Sequence, residues 1–136
     1  MATFRRFEDI LAWQNARVLA REIYVASTKG EFGRDFDLRS QVRRSAISIM
    51  ANIAEGEGRR SDRDFANFLN IALGSVGETK SHLYLALDLS YIDQTFFDST
   101  YEKLDEIGRM TFGLVAHLRQ IETSETSETS ETSKTS

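Results

Sequence analysis

The chain has 136 residues, no proline, no cysteine and a formal net charge of -4. The absence of cysteine excludes disulfides, thiolate nucleophiles and cysteine-ligated zinc, and the absence of proline suits long helices, since proline costs about 3 kcal/mol inside one. No segment approaches the roughly 20 apolar residues of a membrane span, and no signal peptide is visible, so we expect no membrane partner.

The charge is concentrated at the C-terminus. Residues 122–136 repeat Glu-Thr-Ser and carry four Glu and one Lys, which leaves 16 basic and 17 acidic residues in the rest of the chain. This near-neutral body argues against strong non-specific binding of nucleic acid. Because the tail has no apolar residue to offset the entropy of ordering it, we predict a disordered segment over residues 122–136, following a single domain over residues 1–121.

The first helix is predicted over residues 8–27. Its apolar residues fall three or four positions apart and therefore share one face: Ile10, Trp13, Ala16, Ala20, Ile23 and Tyr24. The following connection, residues 30–37, contains Phe32 and Phe36. We expect both aromatic side chains to pin this connection to the rest of the molecule.

The second helix is predicted over residues 38–55, with Asp37 as its N-cap. Its apolar stripe consists of Val42, Ala46, Ile49 and Ile53. Gly56 follows the helix, and we expect it to adopt the left-handed conformation in which many helices end.

The third helix is predicted over residues 61–90 and begins at Ser61, a good N-cap. One stripe follows a four-and-three spacing: Phe65, Leu69, Ala72, Val76, Thr79, Leu83 and Ala86. Gly74 and Gly77 lie inside this helix, where each costs about 1 kcal/mol relative to alanine. We expect these glycines to allow close approach of a neighbouring helix or subunit.

The fourth helix is predicted over residues 93–121, with Asp93 as its N-cap. A heptad pattern runs along it without a slip: Phe97, Thr100, Leu104, Ile107, Thr111, Leu114, Leu118 and Ile121. Four long helices with short connections predict an all-α fold, an antiparallel up-down-up-down four-helix bundle.

Further apolar side chains lie off the main stripes of the two central helices. These are Ile47 and Met50 in the second helix and Phe68, Ile71 and Leu73 in the third. A helix that is apolar on two sides needs a second surface to cover it. We therefore predict a homo-oligomer.

Six arginines surround the second helix and the turn that follows it: Arg39, Arg43, Arg44, Arg59, Arg60 and Arg63. Guanidinium groups near a helix N-terminus can hold a phosphate, so one interpretation is a site for an anion or for nucleic acid. Acidic residues are interleaved with them: Asp35, Asp37, Glu55, Glu57, Asp62 and Asp64. The interpretation that we favour is a network of ion pairs within or between subunits.

Polar and glycine residues at the end of the second helix form a second candidate group: Asn52, Glu55, Gly56 and Gly58. We expect them to fix the turn or to contact another subunit, and a ligand site is the alternative. His82 and His117 stand alone, and no Glu-x-x-His, P-loop, Gly-x-Gly-x-x-Gly or Gly-x-Ser-x-Gly motif is present. We therefore expect no metal site, no cofactor and no enzymatic activity.

Three segments carry a resemblance to a known family: FEDILAWQNAR, RSQVRRSAISIMANIAEGEGRRS and DFANFLNIALGSVGE. Over about residues 4–120 the chain resembles the four-helix bundle proteins encoded in intervening sequences of 23S ribosomal RNA genes. Met50-Ala51 stands where many members have Pro-Ser. The resemblance implies a bacterial cytoplasmic protein that assembles into a ring, a homopentamer, with no established enzymatic activity. Distant relatives that assist reverse transcriptases bind nucleic acid through a basic surface.

The leading hypothesis is thus a non-enzymatic scaffold that forms a homo-oligomeric ring. Binding of RNA or a ribonucleoprotein through the arginines is the second hypothesis, and it predicts an affinity that falls steeply with salt. An enzyme whose site forms between subunits is a third, which requires a shared pocket with convergent polar groups.

Overall fold

A computed structural model describes the backbone of residues 6–135 and the side chains of residues 6–121. This part of the chain is all-α, as predicted: it forms five α-helices and one short 3-10 helix, Phe7–Asp9, and contains no strand. The α-helices are α1 (Leu11–Ala26), α2 (Gly30–Arg34), α3 (Phe36–Glu57), α4 (Asp62–Asp88) and α5 (Gln94–Thr135).

The four long helices enclose one core. α3 packs against α4, α4 packs against α5, and α1 packs against both α3 and α5, so α1 and α4 lie diagonally opposite each other. Val42, Ile49, Leu69 and Leu104, which belong to the predicted stripes, have no exposed surface. Within the described residues, none of the helices has both the length and the hydropathy that a membrane span requires.

The segment before α3 differs from its prediction. Gly30 has a φ of +55°, which glycine adopts without strain, and it starts the unpredicted helix α2. Phe32 is buried in this segment and stacks on Tyr91, with 5.4 Å between the ring centroids. Phe36 is exposed, so only the first of the two aromatic side chains pins the segment to the bundle.

The N-cap of α3 is Asp35 rather than the predicted Asp37. The Asp35 carboxylate accepts a hydrogen bond from the backbone N–H of Leu38 at 3.1 Å, and α3 therefore begins two residues earlier than expected. Ser61 caps α4 as predicted, because its hydroxyl accepts a hydrogen bond from the backbone N–H of Asp64 at 3.1 Å.

The prediction of a left-handed Gly56 is wrong. Gly56 lies inside α3, which ends at Glu57, and it is buried where α3 crosses α4. A Cβ atom at this position would lie 2.8 Å from the Cβ of Phe68 and 2.9 Å from Cδ1 of Phe65. Gly56 is therefore required for close packing of the two helices and not for a turn.

The apolar side chains outside the main stripes fall into two groups. Met50 and Leu73 are partly buried against the core, and the Phe68 ring is covered by the Arg59 guanidinium, 4.6 Å from its centroid. Ile47 and Ile71 are exposed.

The backbone of α5 is helical to Thr135, whereas the fourth helix was predicted to end at residue 121. The side chains of residues 122–136 lie outside the described part of the structure. The disorder of this segment stays a prediction.

Candidate functional site

The six arginines do not form one cluster. Arg39, Arg43 and Arg44 lie in the first turns of α3, whereas Arg59, Arg60 and Arg63 surround the turn into α4. α3 separates the two groups by roughly 20 Å at about 1.5 Å per residue. A ligand that contacts both groups must therefore span much of the length of the bundle.

The first group borders a groove of about 360 Å³ between α1 and α3. Arg43 reaches from α3 to the end of α1. Its Nε donates to the Ser27 hydroxyl at 2.7 Å, and its NH2 nitrogen donates to the Thr28 hydroxyl at 3.0 Å and to the Tyr24 carbonyl at 3.3 Å. A cation is favourable at this helix C-terminus, so Arg43 has a structural role in joining the two helices.

Arg39 and Arg44 border the same groove but differ in their contacts. Arg39 donates to the carbonyl of Gly33 at 2.7 Å and lies over the ring of Phe36 at 4.3 Å. Arg44 is exposed and has no hydrogen-bond or ion-pair partner among the described residues. Arg44 is therefore the cation of this groove that is available to an outside anion.

The second group shows the same division. Arg59 forms an ion pair with Glu55, with 2.6 Å between NH2 and Oε1. Arg60 and Arg63 are exposed, and neither has a hydrogen-bond or ion-pair partner in the described part of the chain. Over residues 6–121, Arg59 alone of the six arginines pairs with a carboxylate, so the favoured network is not formed within one subunit.

Asn52 belongs to a polar ladder between α3 and α4. Its side-chain amide donates to the carbonyl and hydroxyl oxygens of Ser48 at 2.8 and 2.9 Å, and the hydroxyls of Ser48 and Ser75 lie 2.8 Å apart. One turn away, the hydroxyls of Ser45 and Thr79 are also 2.8 Å apart. The hydroxyl pairs join the two helices, and Asn52 holds the Ser48 hydroxyl from within α3. Small hydroxyl residues three or four positions apart on both helices were the sequence signal for this ladder.

Two other residues of the second candidate group, Glu55 and Gly58, lie at the turn after α3. Glu55 holds Arg59, and Gly58 is the C-cap of α3, its backbone N–H donating to the carbonyl of Ala54 at 3.4 Å. These two residues contribute to the turn between α3 and α4, whereas the buried Gly56 contributes to the packing of the two helices.

The histidines lie apart from the arginines. Nε2 of His82 is buried without a hydrogen-bond partner, and the nearest carboxylate oxygen, from Glu78, is 4.0 Å away. In the described part of the chain, no three His, Cys, Asp or Glu side chains come together in a way that could hold a metal ion.

Asp35 and Tyr91 connect the start of α3 to the turn between α4 and α5. The Tyr91 hydroxyl donates to the Asp35 carboxylate at 2.9 Å. Hydrogen bonds from the backbone N–H of Leu38 and from Tyr91 lower the pKa of Asp35 below its ordinary value, and the bond to Asp35 raises the pKa of Tyr91. Both shifts favour a charged carboxylate and a neutral phenol.

This pair predicts a loss of stability in acid. A carboxyl group whose pKa is lowered by folding contributes stability above its unfolded pKa, and this stability is lost as the pH falls through the folded value. We expect the free energy of unfolding of the wild type to fall more steeply between about pH 5 and about pH 3 than that of Asp35→Asn, which keeps a capping oxygen but does not titrate. Urea denaturation at a series of pH values measures both slopes, and equal slopes would contradict the prediction.

Comparison with known proteins identifies the family of this chain. The model of the 23S rRNA-intervening sequence protein family matches residues 8–113. The chain belongs to this family. One similar solved structure is a crystal structure of a protein with unknown function from the S23 ribosomal protein family of Bacteroides thetaiotaomicron, with 30% identity and a TM-score of 0.71. The match covers 77% of this chain and 98% of that one. A search of curated proteins found no match.

Parts of two segments that carry the family resemblance, Asn52–Gly56 in the second and Phe68–Ser75 in the third, meet between α3 and α4. Gly56 packs against Phe68, and the ladder that includes Asn52 ends at Ser75. α3 continues through Met50-Ala51 without interruption. These parts of the segments therefore join two helices of the bundle. The second segment also contains five of the six arginines: Arg39, Arg43, Arg44, Arg59 and Arg60.

Proposed function

We propose that the protein is a non-enzymatic cytoplasmic scaffold whose working form is a ring of identical four-helix bundles, a homopentamer. The support for self-assembly is the apolar surface that one copy leaves uncovered. On α1, Leu11, Val18 and Val25 are exposed, and on α4, Ile71 and Leu85 are exposed. Large apolar side chains that one copy leaves exposed on two of its helices can be covered by contact with another copy.

The scaffold proposal predicts a defined oligomer in solution. Sedimentation velocity or native mass spectrometry at micromolar concentration is expected to give one species at five times the 15.5-kDa mass of a single chain. A closed species with another number of copies would keep the ring and correct its order. A stable monomer at this concentration would overturn the proposal.

A second candidate function, binding of RNA or a ribonucleoprotein, is favoured by three of the six arginines, Arg44, Arg60 and Arg63, which are exposed and have no hydrogen-bond or ion-pair partner over residues 6–121. The family name, which refers to an intervening sequence of 23S ribosomal RNA, is consistent with this function. Binding through phosphate contacts requires free guanidinium groups, and these three side chains offer them.

The RNA-binding candidate is tested with a structured ribosomal RNA fragment in a filter-binding assay at low salt. We expect Arg44→Glu and Arg60→Glu to weaken retention and to reduce its salt dependence by about one unit of slope for each lost phosphate contact. Arg109→Glu on α5 is the control, because it makes the same charge change at an exposed position far from both groups. If the wild type retains no RNA, the candidate falls and the scaffold proposal is unaffected.

A further inference from the structure

The outer faces of α1 and α4 share a repeat of exposed side chains. On α1, Leu11, Val18 and Val25 are seven residues apart and 57%, 40% and 53% exposed. On α4, Ile71 and Leu85 are fourteen residues apart, and they are 52% and 48% exposed. Residues separated by seven positions lie on the same side of a helix, so each set forms a column roughly 21 Å long. The column of α1 is apolar throughout, and the column of α4 is apolar at its two ends.

The two columns carry opposite charges. Arg21 lies beside the column of α1, and the one acidic residue of that helix, Glu22, is held by Lys103 with 2.8 Å between Oε2 and Nζ. Glu78 lies halfway along the column of α4, and Lys80 of that helix is bound to Asp105. The outer face of α1 is therefore basic and apolar, and the outer face of α4 is acidic and apolar.

The outer face of α4 also carries small residues that packing within the subunit does not require. Gly74 and Ser81 form a second exposed column beside Ile71 and Leu85. A Cβ atom on Gly74 would meet no other atom within 4 Å, so packing within the chain does not require glycine there. Glycine at this position costs about 1 kcal/mol of helix stability, which a helix docking closely from outside would explain.

We propose that the outer face of α1 in one copy docks on the outer face of α4 in the next copy, with Arg21 near Glu78. The seven-residue spacing of Val18 and Val25 equals that of Gly74 and Ser81, so two apolar side chains meet two small ones. This inference rests on the proposed self-assembly and names the surfaces that form it.

The position of the two faces determines the kind of assembly. α1 and α4 lie diagonally across the core, so each copy carries the two complementary faces on opposite sides. A contact between two different faces leaves one of each unused in a pair of copies. Such a contact therefore continues from copy to copy. It forms a closed ring when the rotation between neighbours returns to the first copy, and an open filament when it does not.

Charge reversal tests the docking. Arg21→Glu and Glu78→Arg each place like charges across the contact, and we expect each to raise the dissociation constant of the assembly by about tenfold or more. The double variant Arg21→Glu/Glu78→Arg restores opposite charges in every contact, so we expect it to assemble within about threefold of the wild type. Glu102→Arg, at an exposed position of α5 outside both faces, is the matched control and is expected to assemble normally. Sedimentation equilibrium measures assembly, and circular dichroism verifies that each variant is folded.

Each outcome has a separate meaning. A monomeric wild type overturns the scaffold proposal together with this docking. A wild-type oligomer that neither reversal weakens overturns the docking alone. Weakening by both single reversals without recovery in the double variant means that Arg21 and Glu78 do not face each other across the contact, and it also overturns the docking.

Discussion

Replacing Phe32 by alanine is expected to lower the free energy of unfolding by about 3–5 kcal/mol, the usual cost of removing a buried aromatic side chain. Phe32 is 2% exposed and stacks on Tyr91, which is also bonded to the N-cap of α3, Asp35. Loss of the ring removes the contact that holds the α1–α3 connection on the bundle. Urea denaturation followed by circular dichroism measures the change.

Phe36→Ala is the matched control, since it removes the same side chain four residues away. Phe36 is 67% exposed and contacts Arg39 through a cation–π interaction, with 4.3 Å from the guanidinium carbon to the ring centroid. An exposed cation–π contact is worth about 0.5–1 kcal/mol, and we expect a loss of that order. Equal losses in the two variants would mean that both rings pin the connection.

Phe32 and Phe36 differ in burial for a reason that lies far from them in the sequence. The long helices were predictable, because the spacing of residues such as Val42, Ile49 and Leu104 reports a local periodicity that one core must bury. The choice between Phe32 and Phe36 depends on Tyr91, which lies far along the chain. For the same reason the N-cap was assigned to Asp37, because Asp35 and Asp37 have similar propensities and the bond to Tyr91 is not visible in the sequence.

The candidate site was less predictable than the fold. We predicted ion pairs because acidic residues lie near the arginines in the sequence. The partners of Arg43 are instead a backbone carbonyl at the end of α1 and the hydroxyls of Ser27 and Thr28, which follow it. Proximity in the sequence also suggested one cluster, although Arg43 lies near the start of α3 and Arg60 lies in the turn after its end.

The surface for self-assembly shows the same limit. Phe68 and Leu73 lie off the main stripe of their helix, so we predicted them as surface residues. Arg59 instead covers the ring of Phe68, and Leu73 packs against the core. The exposed column Leu11–Val18–Val25 was not predicted. Its residues alternate along α1 with those of the buried stripe. The positions of α3 and α5 determine which of these two sets is exposed.

Gly56→Ala is expected to destabilise the fold although alanine is the better helix former. The new Cβ atom would lie 2.8 Å from the Cβ of Phe68, 2.9 Å from Cδ1 of Phe65 and 3.2 Å from the Phe65 carbonyl oxygen. Two of these atoms are fixed close to the backbone, so α3 and α4 must move apart. Overpacking of this kind costs about 1–3 kcal/mol, and we expect the upper end of that range. The gain of about 1 kcal/mol in helix propensity offsets part of it and leaves a net loss of about 2 kcal/mol.

Gly113→Ala provides the opposite sign in the same experiment. Gly113 is exposed in α5, outside both docking faces, and a Cβ atom there would meet nothing within 4 Å. Only the helix propensity changes, so we expect a gain of about 1 kcal/mol in the free energy of unfolding. If Gly56→Ala also gained stability, the close approach of α3 and α4 at Gly56 would be wrong. The polar ladder that includes Asn52 and Ser75 lies one turn from Gly56. A larger distance between α3 and α4 at Gly56 would therefore also be incompatible with the hydrogen bonds of the ladder.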